Sequence, residues 1–522
     1  MSALFACGGA PETTTGETTE AQTTEEITEA QTTEETTTEE ETEPPETTPE
    51  FNVVEDPDAT LTLPRTFGSH MVLQRDADIK VFGKSNRDGA VIRGTFKEQT
   101  AYTVVENGEF TLEFAPEPAS AEPAELLVED DKGNSVKFED VLVGDVWLFA
   151  GQSNANISLS TIGAAIKKVI TYDEDETMRL FMQTCDYYIA NPKLVKNPCD
   201  DFPDPNVCWK KPDKEACLEF CALGFFFARR LTRETGIPVG AIVISANGAQ
   251  IQEIMSKEAA KKCKLTSSLK VKPGGFYNGM TNPLIGISFK GMVFFQGESE
   301  GIAENTSKNF ATYLQAYAED MKTRFGFDFA FYSVQLSSYS KSSLPGFNYV
   351  NFVRFGQYDG MVAMGNENHI PSYDLRAPDG YSDFMHSPRK EELADRILNL
   401  VLAKEYGIGD KNDFLAPTPA EIKLSEDKTT VTVKFNNVGE GLTSKSGDES
   451  VNGFYVGGEK KMKKATAEII SSDTVLVHVP DGAETVKIAY AYDVLINEEN
   501  TQLYNGKDLP ALAFWLKIEN EE

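Results

Sequence analysis

The stretch Val141-Leu142-Val143-Gly144-Asp145-Val146-Trp147-Leu148-Phe149-Ala150-Gly151-Gln152-Ser153-Asn154 decides the fold. Its apolar run over residues 145–150 reads as a strand buried on both faces, the pattern of a parallel sheet. The run opens onto a glycine and then a serine, which predicts a tight turn with a hydroxyl at the sheet edge. Downstream, residues 214–235 are predicted as one long helix with Leu218, Cys221, Ala222, Phe225 and Phe226 on an apolar stripe. Gly236 ends that helix, and residues 239–245 form the next apolar strand. Residues 292–296 and 329–335 read as two more. This alternation predicts an α/β unit over 141–408, a mostly parallel sheet with helices on both faces.

On either side the pattern is β. Residues 59–140 carry short β-rich runs separated by Gly, Asp, Asn or Pro, and predict a β-sandwich. Over 409–522, Val431, Val433 and Phe435 alternate cleanly, as do Val475, Val477 and Val479, and predict a second β unit. Residues 1–58 differ from everything else. Leu4-Phe5-Ala6-Cys7 resembles a bacterial lipobox, which makes Cys7 the expected lipidation site. Residues 11–50 contain fourteen Glu and no Lys or Arg. Such a segment cannot bury enough surface to offset its ordering entropy. It is expected to act as a tether with a reach of at least about 35 Å. The expectation is an extracellular bacterial cell-surface lipoprotein, monomeric, touching a membrane only through Cys7.

The formal charge is −33 over 522 residues, and the Thr/Glu segment supplies much of it. No basic face or stripe favours nucleic acid, and a strongly anionic substrate would meet a repulsive field. No run approaches the roughly 20 apolar residues of a membrane-spanning helix. Seven cysteines and four histidines include no Cys-x-x-Cys pair, so neither a metal nor another cofactor is expected. Cys199 and Cys208, flanking a Pro-rich loop, are the better disulfide candidates, and Cys217 and Cys221 read as packed thiols.

In open α/β sheets chemistry gathers beyond the carboxyl ends of the strands. Ser153 stands at one such end, and Gly248 at a second, where a glycine lets the backbone N–H approach a ligand. Gln296 stands at a third and could direct a side-chain N–H to the same point. Each of these taken alone also reads as an ordinary cap or turn. Asp383-Phe384-Met385-His386-Ser387-Pro388 precedes a predicted helix over 389–405. His386 there feels the positive end of the helix dipole, which favours the neutral imidazole of a general base. Asp383 can reach its other nitrogen and fix the tautomer. Among the other histidines, His478 reads as solvent-facing, His70 lies in the first β unit, and His369 is the one serious rival.

These residues carry a resemblance to the sialate O-acetylesterase-type carbohydrate esterases of the SGNH-hydrolase superfamily. Met71-Val72-Leu73-Gln74-Arg75, the Val141–Asn154 block, Tyr277-Asn278-Gly279-Met280, Gln296-Gly297-Glu298-Ser299 and Leu503-Tyr504-Asn505 resemble family motifs in the family's order. The similarity runs from about residue 62 to 517. It implies an SGNH-hydrolase-like (flavodoxin-like) core flanked by β-sandwich-like domains, with Ser153 as nucleophile, His386 as base and Asp383 as acid. It further implies an oxyanion hole of Ser153 N–H, Gly248 N–H and Gln296, and Gln152, Asn154, Glu298 and Arg354 at the substrate. The implied activity is hydrolysis of O-acetyl groups on carbohydrates, sialic acid or acetylated plant or host glycans, through an acetyl-serine.

The chain also departs from the family. Ala155-Asn156-Ile157 stands where Met-Glu-Trp is usual, and Asn247-Gly248-Ala249-Gln250 replaces Trp-Gly-Gly-Thr. The histidine motif is lengthened, which leaves Glu298 and Asp374 as alternative acids. Two other readings remain: an esterase acting on lipid or cell-wall acetyl esters, and a non-catalytic carbohydrate-binding surface protein.

Overall fold

A computed structural model describes residues 49–518, apart from 164–169, 174–175, 187–195, 264–268, 270, 340–345, 380, 382, 384 and 448. Cys7 and nearly all of the Thr/Glu segment lie outside the described residues. The described part is a mixed α/β structure with one large mixed sheet and further β-sheets.

The stretch that opens the sequence argument lies in a strand of 17 residues, Ser135–Gly151. Up to residue 140 its side chains are exposed or half-buried, and from Val141 onward all are buried. The burial change follows a change of partners. Residues 135–143 pair antiparallel with Ser120–Asp130, and Leu142–Gly144 gain a parallel partner in Val72–Gln74. The second half is clasped on both sides by parallel strands, Val239–Asn247 and Gly291–Phe295. The expected boundary at 140/141 therefore falls inside one uninterrupted strand. Outward from it, Met178–Asp186 pairs with Val239–Asn247 on one side. On the other side, Ala330–Gln335 and then His369–Pro371 extend the sheet, all in parallel. Chain order thus reverses direction around Ser135–Gly151, the arrangement that opens a crevice beyond its carboxyl end.

Helices Ala222–Thr235, Phe310–Phe325, Val350–Ala363 and Lys390–Glu405 accompany this sheet. Trp147, fully buried, packs against Phe227 and Tyr332. The predicted helix over 214–235 is in fact two, Lys214–Glu219 and Ala222–Thr235. Backbone pairing explains the break. Leu159 N–H donates to Phe220 O and Ala222 N–H to Ile157 O, both at 2.9 Å, which draws residues 220–221 out of the helix. Cys221 Sγ then accepts the Gly224 N–H at 3.4 Å as a cap. Gly236 closes the second helix at φ 71°, as predicted for a left-handed terminus. Cys199 and Cys208 are free thiols rather than a disulfide, and Cys217, Cys221 and Cys263 are buried thiols.

The C-terminal strands form a five-stranded and a four-stranded antiparallel sheet, with a two-stranded pair. Val431, Val433, Phe435, Val475, Val477 and Phe514 share one core. His478 faces outward toward Glu468, as its alternation predicts.

Arg354, expected at the substrate, is instead fully buried where this β unit meets the parallel sheet. Its guanidinium donates to Leu336 O at 3.0 Å and Ser337 O at 3.1 Å. It also donates to Asp493 O at 3.2 Å and Val494 O at 3.3 Å. All five of its N–H donors meet main-chain carbonyls, so no donor is left to meet a ligand. The resemblance aligned its position and could not reveal its depth. Burial lowers its pKa to about 10, still far above neutrality. Removing a buried cation from such a network costs roughly 3–5 kcal/mol because its acceptors are stranded. Arg354→Met should lower urea-unfolding stability by about that amount, and a loss under about 1 kcal/mol would contradict the clamp.

Candidate active site

The site is assembled at the carboxyl end of the central strand. Gly151 has φ 146°, a conformation closed to most side chains, and a Cβ there would lie 2.0 Å from Phe295 O. That close approach turns the chain into the short helix Ser153–Asn156, with Ser153 as its first residue. The turn is further pinned by Asn156, whose Nδ2 donates to Asn247 Oδ1 at 2.8 Å and also to Ser245 Oγ.

Ser153 Oγ lies 2.8 Å from His386 Nε2. His386 Nδ1 lies 2.7 Å from Asp383 Oδ2. The other carboxylate oxygen, Asp383 Oδ1, accepts the N–H groups of Met385 and His386, each at 3.1 Å. This turn holds the loop in a closed shape despite its extra length, so the three-residue spacing still joins the two side chains. Burial raises the Asp383 pKa, but the His386 ring and the two N–H groups outweigh it. The carboxyl is held below its usual value. An ionised Asp383 fixes the proton on Nδ1 and leaves Nε2 to accept from the serine hydroxyl.

The rivals are committed elsewhere. Asp374 forms a two-pronged ion pair with Arg396, both contacts at 2.8 Å. Glu298 is buried against Asn154. His369 lies in the last parallel strand, buried, with neither ring nitrogen partnered among the described residues. Burial drives its pKa down to about 3. His70 pairs with Asp140 at 2.7 Å in the first β unit.

Gly248 takes φ 71° just past its strand, and Ser299 Oγ donates to its carbonyl at 2.9 Å. Neither the Ser153 nor the Gly248 backbone N–H has a recorded acceptor among the described residues. Gln296 differs from expectation. It is fully buried, and its amide nitrogen faces Ala249 O at 2.9 Å, Gln152 Oε1 at 3.2 Å and Glu300 Oε2 at 3.3 Å. Two N–H groups already have three acceptors, so in this state Gln296 braces its neighbours rather than offering a free donor. Gln152, Asn154 and Glu298 are likewise at most 2% exposed and form the floor of the site rather than its surface.

Sequence reasoning missed Lys390 in this floor. A lysine at the first position of a helix opposes the dipole, and that local conflict was its readable signal. The arrangement as a whole can lower the barrier to attack by a hydroxyl on an electrophilic carbonyl. The Gly151 geometry makes this testable. Gly151→Ala should slow labelling of Ser153 by a fluorophosphonate probe at least about tenfold through backbone strain, and an unchanged rate would contradict the close-approach argument.

The chain is similar to several known proteins. Residues 143–393 match the family model described as carbohydrate esterase, sialic acid-specific acetylesterase. The sialate O-acetylesterase of Pongo abelii is 27% identical over 329 residues, which cover 58% of this chain and 61% of that protein. The Homo sapiens sialate O-acetylesterase is 26% identical over 329 residues, with the same coverage of 58% and 61%. The chain thus spans about 61% of the length of these curated relatives. A crystal structure described as a novel carbohydrate acetylesterase from Xanthomonas citri superposes with a TM-score of 0.72 at 23% identity. It covers 88% of this chain and 99% of its own. Over residues 143–393 the chain is thus similar to the sialic acid-specific acetylesterase family of carbohydrate esterases.

Proposed function

We propose that this protein is a serine esterase that hydrolyses O-acetyl groups on carbohydrates through an acetyl-serine intermediate. The observation that carries the reading is the hydrogen-bonded chain Ser153–His386–Asp383, with contacts of 2.8 and 2.7 Å. His386 Nε2 takes the Ser153 proton as Oγ attacks the acetyl carbonyl carbon. Ser153 N–H and Gly248 N–H receive the resulting oxyanion, each such donor being worth about 3 kcal/mol of barrier. Gln296 joins them only by exchanging one present acceptor for the oxyanion. The imidazolium, stabilised by Asp383, then protonates the departing sugar oxygen. Water attacks the acetyl-serine, His386 again removing the proton, and acetate leaves as Ser153 recovers its hydrogen.

Reversal of chain order around the central strand supports reading the core as SGNH-hydrolase-like (flavodoxin-like). Residues 59–140 and 409–522 then serve as flanking β-sandwich-like units. Cys7 followed by a Thr/Glu stalk supports a lipid-anchored enzyme held off a bacterial cell surface, acting on extracellular acetylated glycans such as O-acetylated sialic acid.

Ser153→Ala should cut acetate release from O-acetylated sialic acid, or from a chromogenic acetyl ester, by roughly a thousandfold or more. Asp383→Asn should cost about as much in kcat with KM little changed, because the imidazole would hold the wrong tautomer. Full activity in either variant would refute the assignment. Cys7→Ala should move the protein, expressed in a bacterium, from the membrane fraction to the soluble one. Unchanged partitioning would remove the anchor.

A further inference from the structure

Beneath the Ser153–His386 contact lies a buried polar chain that the reaction as written does not use. Lys390, the first residue of helix Lys390–Glu405, is 1% exposed. Its Nζ donates to Asn154 Oδ1 at 2.7 Å and lies 5.2 Å from the centre of the Phe295 ring. Asn154 Nδ2 donates onward to Glu298 Oε1 at 2.5 Å and lies 3.4 Å from Met385 O. Glu298 Oε2 is buried with no partner among the described residues.

Three segments meet here. Asn154 follows Ser153 in the same helical turn, Met385 O precedes His386, and Glu298 heads the turn that follows Gly297. An ammonium buried at a helix N-terminus opposes the dipole, and a buried carboxyl with an idle oxygen is costly as well. A single amide satisfies both. Its carbonyl meets the cation and its NH2 meets the carboxyl, so each bond polarises the other.

We propose that Lys390, Asn154 and Glu298 form a positioning relay that holds the Ser153 turn in register with the His386 loop. The rate of acyl transfer then depends on the charge of a lysine that touches no substrate. This rests on the esterase reading above. The charged and titratable groups facing Lys390 are Glu298, Cys221 at the start of helix Ala222–Thr235, and Asp383 in the preceding loop. His386 faces Glu298. Burial lowers the Lys390 pKa to about 8, with Glu298 opposing the fall. The cation is therefore present below that pH and lost above it.

Three readouts separate the relay from simple packing. Wild-type kcat on an acetyl ester, with Ser153→Ala as the blank for spontaneous hydrolysis, should fall as pH rises through about 8. Asn154→Asp places two carboxyls in contact and should lower kcat by roughly 10- to 100-fold, with KM within about threefold. Adding Glu298→Gln restores an acceptor for Lys390 and a donor for residue 154. The double variant should return to within about fivefold of wild type. A carboxylate would then touch the ammonium directly, so the alkaline fall should move up by about one pH unit or more.

A double variant no faster than Asn154→Asp, or an alkaline midpoint unmoved from wild type, would overturn the relay. Should Asn154→Asp fail to fold by thermal unfolding, Lys390→Met serves instead. It should fold, lose roughly tenfold in kcat and lack the fall near pH 8, and a retained fall would overturn the relay. An inactive wild type overturns the esterase reading and the relay together. An active wild type with a dead Ser153→Ala and unaffected relay variants overturns the relay alone.

Discussion

One close backbone approach governs this molecule: Gly151 against the carbonyl of Phe295, where no side chain fits. It lets the central strand end flush with its parallel neighbour and still turn sharply into a helix one residue later. The site depends on that turn. Ser153 is presented at its tip, Gly248 reaches the same rim from the strand on one side, and the 296–302 segment arrives from the other. Two strands that flank a third in parallel, with chain order reversing between them, make such a meeting of loops a matter of topology rather than coincidence.

Much of this was legible in the sequence, and the reasons are local. An apolar run bounded by glycines is a buried strand wherever it occurs, and Gly236 had only one economical conformation after an amphipathic helix. His386 and Asp383 lie three residues apart and ahead of a helix, so their contact is short-range and a turn suffices to close it. What was not legible depends on partners distant in the chain. The break at Phe220 and Cys221 comes from backbone bonds to residues 157–159. Arg354 reads as a ligand-binding cation until the main-chain carbonyls of 336–337 and 493–494 close around it. Gln296 is an available donor only until Gln152, Ala249 and Glu300 are placed beside it.

The same contrast separates two kinds of polar group around the site. Asp383 and His386 are partly open to solvent and short-range. Asn154, Glu298 and Lys390 are sealed and joined through Asn154, and Gln296 is sealed against Gln152, Ala249 and Glu300, mostly across segments distant in the chain. The sealed layer carries the risk, because any one of its members left without a partner is a buried unsatisfied group. A site whose surface residues vary with substrate therefore has reason to keep this floor unchanged.

The strand Ser135–Gly151 has a consequence for how such proteins can be assembled from parts. Its first half belongs to an antiparallel ladder and its second to the parallel sheet, with no linker between them. The β unit before residue 140 is thus not a detachable cassette. A recombination joint at that point would cut through the antiparallel ladder, which runs on to Val143, so this half of the architecture has to be inherited as a block.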